Sequence, residues 1–357
     1  MNTSTLKIDE KKLHEFMGKA VADLGAAMNT TLILIGDRLG LYKAMAGAGP
    51  VTSEEVASKT GTSERYVREW LAAQAAGGYI TFDSATGKFT LPDEQAMALA
   101  VDNSPVFVPG AYQIVSSTVL DEPKLREAFK TGQGVGWHEH NCNLFEGTER
   151  FFRPGYSAHL VKEWIPALDG VEEKLKAGGT VADVGCGYGV STILMAQAYP
   201  KSRFFGFDYH APSIEWANKS AQKAGVSDRV TFEVASSKAF PAREYDMVAF
   251  FDCLHDMGDP VGASRHVREA LKPDGTWMIV EPFANDQLEE NLNPIGRVFY
   301  SASTMICTPA SLSQEVGLGL GAQAGETRLR DVVTKGGFTR FRRATETPFN
   351  LILEARP

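Results

Sequence analysis

Across residues 15–45 apolar side chains return at helical spacing: Phe16, Ala20, Leu24 and Met28, then Leu32, Ile35, Leu39 and Leu41. That periodicity predicts two amphipathic helices. The stretch that follows, GPVTSEEVASKTGTSERYVREWLAAQAAGGYITFDSATGKFTL, carries two capping signals. Thr52 and Ser53 stand before Glu54 and Glu55, and Thr62 and Ser63 before Glu64, so each pair predicts the start of a short helix. Gly61 supplies the tight turn between the two helices. Residues 79–82, the turn SATGK and residues 89–91 then read as a two-stranded wing. The front of the chain, residues 1–100, is therefore expected to be an α-rich winged-helix domain.

Residues 101–175 have a mixed helical pattern rich in aromatics and histidine, and read as a connector that lines or covers a site. At Gly179 the pattern changes to alternating strand and helix. Strands are predicted at 180–184, 203–208, 230–234, 246–251 and 277–281, with helices at 189–199, 213–224 and 261–271 between them. A helix at 328–336 and two closely spaced strands at 339–345 and 350–355 complete the series. Alternation of this kind predicts an α/β, Rossmann-like fold over residues 176–357: a seven-stranded, mostly parallel sheet covered by helices, with its final strand antiparallel.

Composition narrows what such a chain does. Its 357 residues suit two domains, and 43% hydrophobic with 22% charged residues is ordinary for globular cores. The net charge of −8 gives little of the counterion release that drives nucleic-acid binding. Between Glu54 and Trp70 four acidic residues (Glu54, Glu55, Glu64, Glu69) outnumber three basic ones (Lys59, Arg65, Arg68), so the helix pair offers phosphates no basic face. A winged helix of that character is expected to pack against a partner subunit, as in a homodimer. The four cysteines, Cys142, Cys186, Cys253 and Cys307, form no CxxC pair and read as reduced thiols. The polar start MNTSTLKIDEKKLHEF is no signal peptide, and no apolar run reaches the roughly 18–20 residues that span a bilayer. A cytoplasmic protein acting on a small molecule is expected.

The first strand of the second domain runs into VADVGCGYGVS. Gly185, Gly187 and Gly189 let the backbone turn sharply and approach a ligand closely. A dinucleotide fingerprint would end in Gly or Ala where this loop has Val190, and Asp183 stands two residues before the first glycine. A carboxylate there repels a pyrophosphate and attracts a cationic amino group. S-adenosylmethionine carries an ammonium and a sulfonium, so charge favours it over NAD. The second strand ends in FFGFDYH, which places Asp208 and its neighbour Tyr209 19 and 20 residues after Gly189, where an acid accepts hydrogen bonds from ribose hydroxyls. In the connector, His138 and His140 are close in sequence, but no third or fourth ligand stands at a convincing spacing, so no metal is expected. Trp137, His138 and Phe152 there, with Tyr300 and Met305 in the apolar start of the 294–326 segment, are the candidates for acceptor contact.

With these motifs, residues 180–355 resemble a class I S-adenosylmethionine methyltransferase, and the front of the chain resembles bacterial and plant small-molecule O-methyltransferases. The resemblance implies that Gly185, Gly187 and Gly189 hold the methionine part of the cofactor and Asp208 its ribose. Where many members place an aspartate against the adenine, this chain reads EVASSK, leaving Ser236 or Ser237, or backbone alone. Asp252 falls at a cofactor-contacting strand end. LHDMGD resembles the HDW-type segment whose histidine is the general base, with Met257 in place of the tryptophan. His255 is then the implied base, and Glu281, ending the fifth strand at MIVEP, the carboxylate that flanks it. An imidazole of pKa near 6.5 suits proton removal from a phenol or enol. Methyl transfer to nitrogen, carbon or sulfur without a histidine base stays open beside O-methylation, as does a cofactor-sensing winged-helix regulator.

Overall fold

The computed structural model describes residues 6–357; residues 1–5 of the polar N-terminal segment lie outside the described residues. The chain divides into two units, Met1–Ser116 and Ser117–Pro357, the division falling inside the helix Pro109–Leu120.

In the first unit the stretch read as two helices holds a 29-residue helix, Glu10–Arg38, and a short one, Leu41–Met45. Asp9 caps the long helix by accepting from the Lys11 and Lys12 amides, and no proline interrupts the run, so the helix ends only at Gly40, whose φ is 70°. Its apolar positions divide between two fates. Ile33 and Leu34 are buried, near Trp70, whose indole N–H donates to the Leu32 carbonyl at 2.9 Å. Leu13, Phe16, Val21, Leu24 and Met28 are 44–76% exposed. Helix Ser53–Thr60 starts at the expected capping box, Thr52 with Glu55, and ends at Gly61 with φ 64°. Helix Glu64–Ala76 begins after Ser63, whose side chain makes no cap bond; instead Ser53 Oγ donates to Glu64 at 2.6 Å. The wing is β1 (Thr81–Asp83) paired antiparallel with β2 (Lys88–Thr90), Phe82 opposite Phe89.

The second unit is built on seven strands: β3 (Thr180–Val184), β4 (Arg203–Asp208), β5 (Val230–Val234), β6 (Tyr245–Phe251), β7 (Leu271–Pro282), β8 (Arg340–Glu346) and β9 (Asn350–Arg356). Their order across the sheet is β5-β4-β3-β6-β7-β9-β8, parallel except that β9 runs antiparallel to both neighbours. Successive residues of β3 enter opposite cores: Val181 packs with Phe204, Met247 and Met278, while Ala182 and Val184 pack with Phe207, Phe250 and Trp277. Burial on both faces is why these strands read as continuous apolar runs. The strand order reverses around β3, and such a switch point opens a crevice beyond the carboxyl ends of the strands. Among the described residues no helix is long and apolar enough to cross a membrane.

Candidate active site

A cavity of about 470 Å³ opens at that crevice, within the second unit. Its floor is the turn after β3. Gly185, Gly187 and Gly189 take left-handed φ values of 75°, 51° and 79°. Their roles differ. A Cβ on Gly189 would stand 2.5 Å from the Phe232 ring, and one on Gly185 would stand 2.8 Å from Cys253 Sγ, so packing alone demands glycine there. A Cβ on Gly187 would meet nothing within 4 Å, and Gly187 lines the cavity while Gly189 does not. Gly187 is therefore the position that keeps space open for a ligand.

Asp208, at the end of β4, lies in the cavity wall and braces the loop by accepting from the amides of Gly187 (2.9 Å) and His210 (2.8 Å). Burial raises its pKa. Asp183 departs from expectation. It lies fully buried outside the cavity lining, with Ser191 and Thr192 hydroxyls each donating to Oδ2 at 2.6 Å. Its Oδ1 is buried without a partner, and burial pushes the carboxyl up to about 6. Tyr209 and Ser236 line the cavity, as does Ser237.

Asp252, just past β6, holds a left-handed φ of 50° that aims its carboxylate back toward β9 and the helix Asn143–His159. There it accepts from Asn350 Nδ2 at 3.0 Å and from the Tyr156 hydroxyl at 2.8 Å. Burial, then the neighbouring Glu281, push its carboxyl up to about 7.

His255 and Glu281 come together as the sequence suggested, with Nδ1 2.5 Å from Oε2 and both side chains buried. Glu281 is fixed by the Leu254 amide, which donates to Oε1 at 2.9 Å. Neither residue reaches the cavity wall, which is formed here by Asp256 and Met257. The other ring nitrogen of His255, Nε2, faces Asp256 Oδ1 at 3.1 Å. Burial alone would lower the histidine pKa, but Glu281 and then Asp256 outweigh it and hold the imidazole well above its usual value. A ring kept protonated between two carboxylates has no free lone pair, so the simple picture of His255 as a free base facing the acceptor needs Asp256 added to it.

Trp137, His138 and Phe152 line the cavity, but Tyr300 and Met305 do not. Their segment contributes Ala310, Ser313 and Gln314 instead. His140 turns away from His138: its Nδ1 is tied to buried Asp121 at 2.9 Å, so the two histidines are not a ligand pair. Residues that sequence reasoning passed over include Tyr156, Tyr188, Asp256 and the pair Glu149–Arg153. The signal for Glu149, Phe152 and Tyr156 was a helical repeat shared with Phe145 across the Asn143–His159 helix.

Residues 175–316 match the family model described as a methyltransferase domain, and residues 27–101 match the Rv2258c-like winged HTH domain. The chain thus carries a methyltransferase domain behind a winged helix-turn-helix. It is 36% identical over 103 residues to 27-O-demethylrifamycin SV methyltransferase of Amycolatopsis mediterranei, a stretch that covers 28% of this chain and 38% of that relative. The chain therefore spans well under half the length of that relative. Among solved structures, human N-acetylserotonin methyltransferase in complex with S-adenosylmethionine superimposes with a TM-score of 0.69 at 17% identity, covering 100% of this chain and 99% of the other. The mitomycin 7-O-methyltransferase MmcR superimposes with a TM-score of 0.68 at 20% identity, over 97% and 100% of the two chains. At these identities the likeness is one of fold.

Proposed function

We propose that this chain, a methyltransferase-domain protein with a winged helix-turn-helix at its front, transfers the methyl group of S-adenosylmethionine to a small-molecule acceptor, by preference to oxygen. The observation that carries the reading is the cavity itself: an open glycine position, Gly187, beside a braced carboxylate, Asp208, at the strand-order switch point. The wall charge agrees. In the cavity lining Glu149 is paired with the one guanidinium, Arg153, and Asp208 and Asp256 remain, which suits a ligand bearing an ammonium and a sulfonium. The residues present thus fit the cofactor.

Gly185 and Gly187 would hold its methionine part, Asp208 and Tyr209 its ribose, and Ser236 the edge of its base, with Asp252 at the strand end and Gly189 and Asp183 supporting the loop from behind. The bound cofactor supplies a methyl group on sulfur that is already a good leaving group. Trp137, His138 and Phe152 would hold the acceptor flat against an apolar wall. Proton removal falls to a chain of three groups, with Asp256 at the cavity, His255 behind it and Glu281 anchoring the ring. A carboxylate held by a histidine that a second carboxylate orients is suited to take a hydroxyl proton at the moment of attack. An amine acceptor that binds unprotonated would not need this chain, which is why oxygen is favoured. The exposed stripe of the Glu10–Arg38 helix supports a homodimer.

Calorimetry with S-adenosylhomocysteine tests the reading first: near-equimolar binding is expected, with none for NAD, and failure to bind would end it. A labelled methyl-transfer screen over phenols, carboxylic acids, thiols and amines then finds the acceptor. On that acceptor His255→Ala should lower turnover about 10²–10⁴-fold, the range for a general acid–base group, with cofactor affinity unchanged.

A further inference from the structure

The strand order fixes where the base of a bound nucleoside cofactor falls. In the order β5-β4-β3 the glycine turn stands at the end of β3 and Asp208 at the end of β4, so a ligand laid from one to the other continues onto the end of β5. Neighbouring strands are about 4.8 Å apart, and a ribose held at Asp208 delivers its base there. The Ala235 amide ties the end of β5 to this place by donating to the Asp208 carbonyl at 3.0 Å. Ala235, Ser236 and Ser237 line the cavity. Each carboxylate in that lining is engaged elsewhere: Glu149 with Arg153, Asp208 with the Gly187 and His210 amides, Asp252 with Tyr156 and Asn350, and Asp256 at His255. Around β5 itself, Glu233 pairs with Arg243, and Asp259 and Glu315 both pair with Lys238. The side chains that remain for the edge of the base are two hydroxyls.

We infer that Ser236 makes this site tolerant at position 6 of the cofactor's purine, so that it takes the nucleoside with or without its amino group. The inference rests on the cofactor reading and states what that reading leaves open, how the base is selected. A serine hydroxyl both donates and accepts, so it fits an amino group without requiring one. A neutral hydrogen bond of this kind is worth only about 2–10-fold in affinity, whereas a carboxylate accepting from the amino group would be worth roughly 10–150-fold. Without the amino group that carboxylate would also be left unpaired, and a hydroxyl open to water carries no such penalty. β5 is the edge strand of the sheet, and Val234 and Ser236 at its end are exposed, so the edge of the base meets solvent and its amino group stays hydrated. Tyr209, next to Asp208 in the lining, offers the base a ring face, and stacking is indifferent to the substituent because every base has a π-face.

The test needs no acceptor. Titration calorimetry on the full-length protein compares S-adenosylhomocysteine with its 6-deamino analogue, in which purine replaces adenine. The two should bind within about tenfold of each other. Ser236→Asp puts a carboxylate where the hydroxyl stands and should widen the gap to roughly 10–150-fold in favour of S-adenosylhomocysteine. The position is exposed, and binding of S-adenosylhomocysteine itself reports that the variant is folded. A wild-type protein that rejects the analogue by more than about tenfold overturns the inference, as does a Ser236→Asp variant that binds S-adenosylhomocysteine with the gap unchanged. Where the variant loses both ligands, the wild-type ratio decides alone. A wild-type protein that binds neither ligand overturns the cofactor reading and this inference with it, whereas binding of S-adenosylhomocysteine alone leaves the cofactor reading standing and removes only the tolerance.

Discussion

Alanine at Gly187 and at Gly189 should separate ligand binding from folding, because the two glycines meet different surroundings. Both hold left-handed φ values, 51° and 79°, where an L side chain costs roughly 1–2 kcal/mol. At Gly187 that is the whole cost to the apo protein, since the added Cβ meets nothing within 4 Å. At Gly189 the Cβ would stand 2.5 Å from Phe232 Cζ and 3.0 Å from Ala217 Cβ, and forcing a methyl into a packed core adds about 1–3 kcal/mol. Gly187→Ala should therefore lose about 1–2 kcal/mol and Gly189→Ala about 2–5 kcal/mol. At roughly 2–4 °C per kcal/mol for a unit of this size, melting falls by about 2–8 °C for the first and about 4–20 °C for the second. Affinity should rank the other way. The Gly187 methyl occupies the space a ligand needs, so S-adenosylhomocysteine should bind at least about tenfold more weakly, a cost of about 1.4 kcal/mol. Differential scanning calorimetry and titration calorimetry on the same samples read both quantities. If Gly187→Ala keeps full affinity, the loop does not cradle the ligand.

Asp208→Ala should weaken S-adenosylhomocysteine by about 3–6 kcal/mol if two charge-assisted hydrogen bonds of about 1.5–3 kcal/mol each are lost, and unchanged affinity in titration calorimetry would remove Asp208 from the site. Burial raises the carboxyls of Asp183 to about 6 and Asp252 to about 7, so each stays neutral only below those pH values. Their folded values exceed the unfolded ones, so any stability they contribute is present at low pH and is lost as pH rises through about 6 and 7. Of the two only Asp252 lines the cavity; if it meets the ligand's ammonium, S-adenosylhomocysteine affinity should strengthen as pH rises through about 7, and a flat profile would refute that contact. Light scattering at micromolar concentration should give twice the 38.8 kDa chain mass, with glutamate at Phe16, Leu24 and Met28 together shifting it to one; a wild-type monomer would refute the dimer.

The sheet was legible because each strand end carries its own punctuation. Val181, Val184, Phe204 and Phe207 sit in short apolar runs bounded by glycine or aspartate, and burial on both faces forbids polar interruption. The capping box at Thr52 was equally local, since both partners lie within four residues. What the periodicity did not show was where the first helix breaks, at Leu39 and Gly40. An exposed apolar stripe and a buried one follow each other along the Glu10–Arg38 helix, and periodicity registers the change of partner without registering that the backbone continues. Asp183 failed for a related reason. Its place before the glycines was right, but whether a carboxylate faces a ligand or the start of the next helix depends on Ser191 and Thr192, and their hydroxyls turned it inward.

The cluster around His255 shows where local reading stops. The family resemblance paired His255 with Glu281, and the register of the adjacent parallel strands β6 and β7 is what brings their ends together. The orientation of the ring could not be read, because it depends on what stands at Nε2, and that is settled by Asp256 beside it and by Cys307 from a segment more than fifty residues later. Helical periodicity places Cys307 poorly. Between the helices Pro294–Ala302 and Thr308–Leu312 the backbone makes a π turn over Ser303–Cys307, bonding each residue to the fifth beyond it rather than the fourth. The additional residue rotates everything downstream relative to a 3.6-residue repeat. Tyr300 and Met305, named from the apolar start of the segment, miss the cavity, and Ala310 and Ser313 reach it instead. The same segment places Cys307 within 4.8 Å of the His255 and Asp256 side-chain atoms, so the stretch that defeats the sequence pattern also forms one side of the cluster.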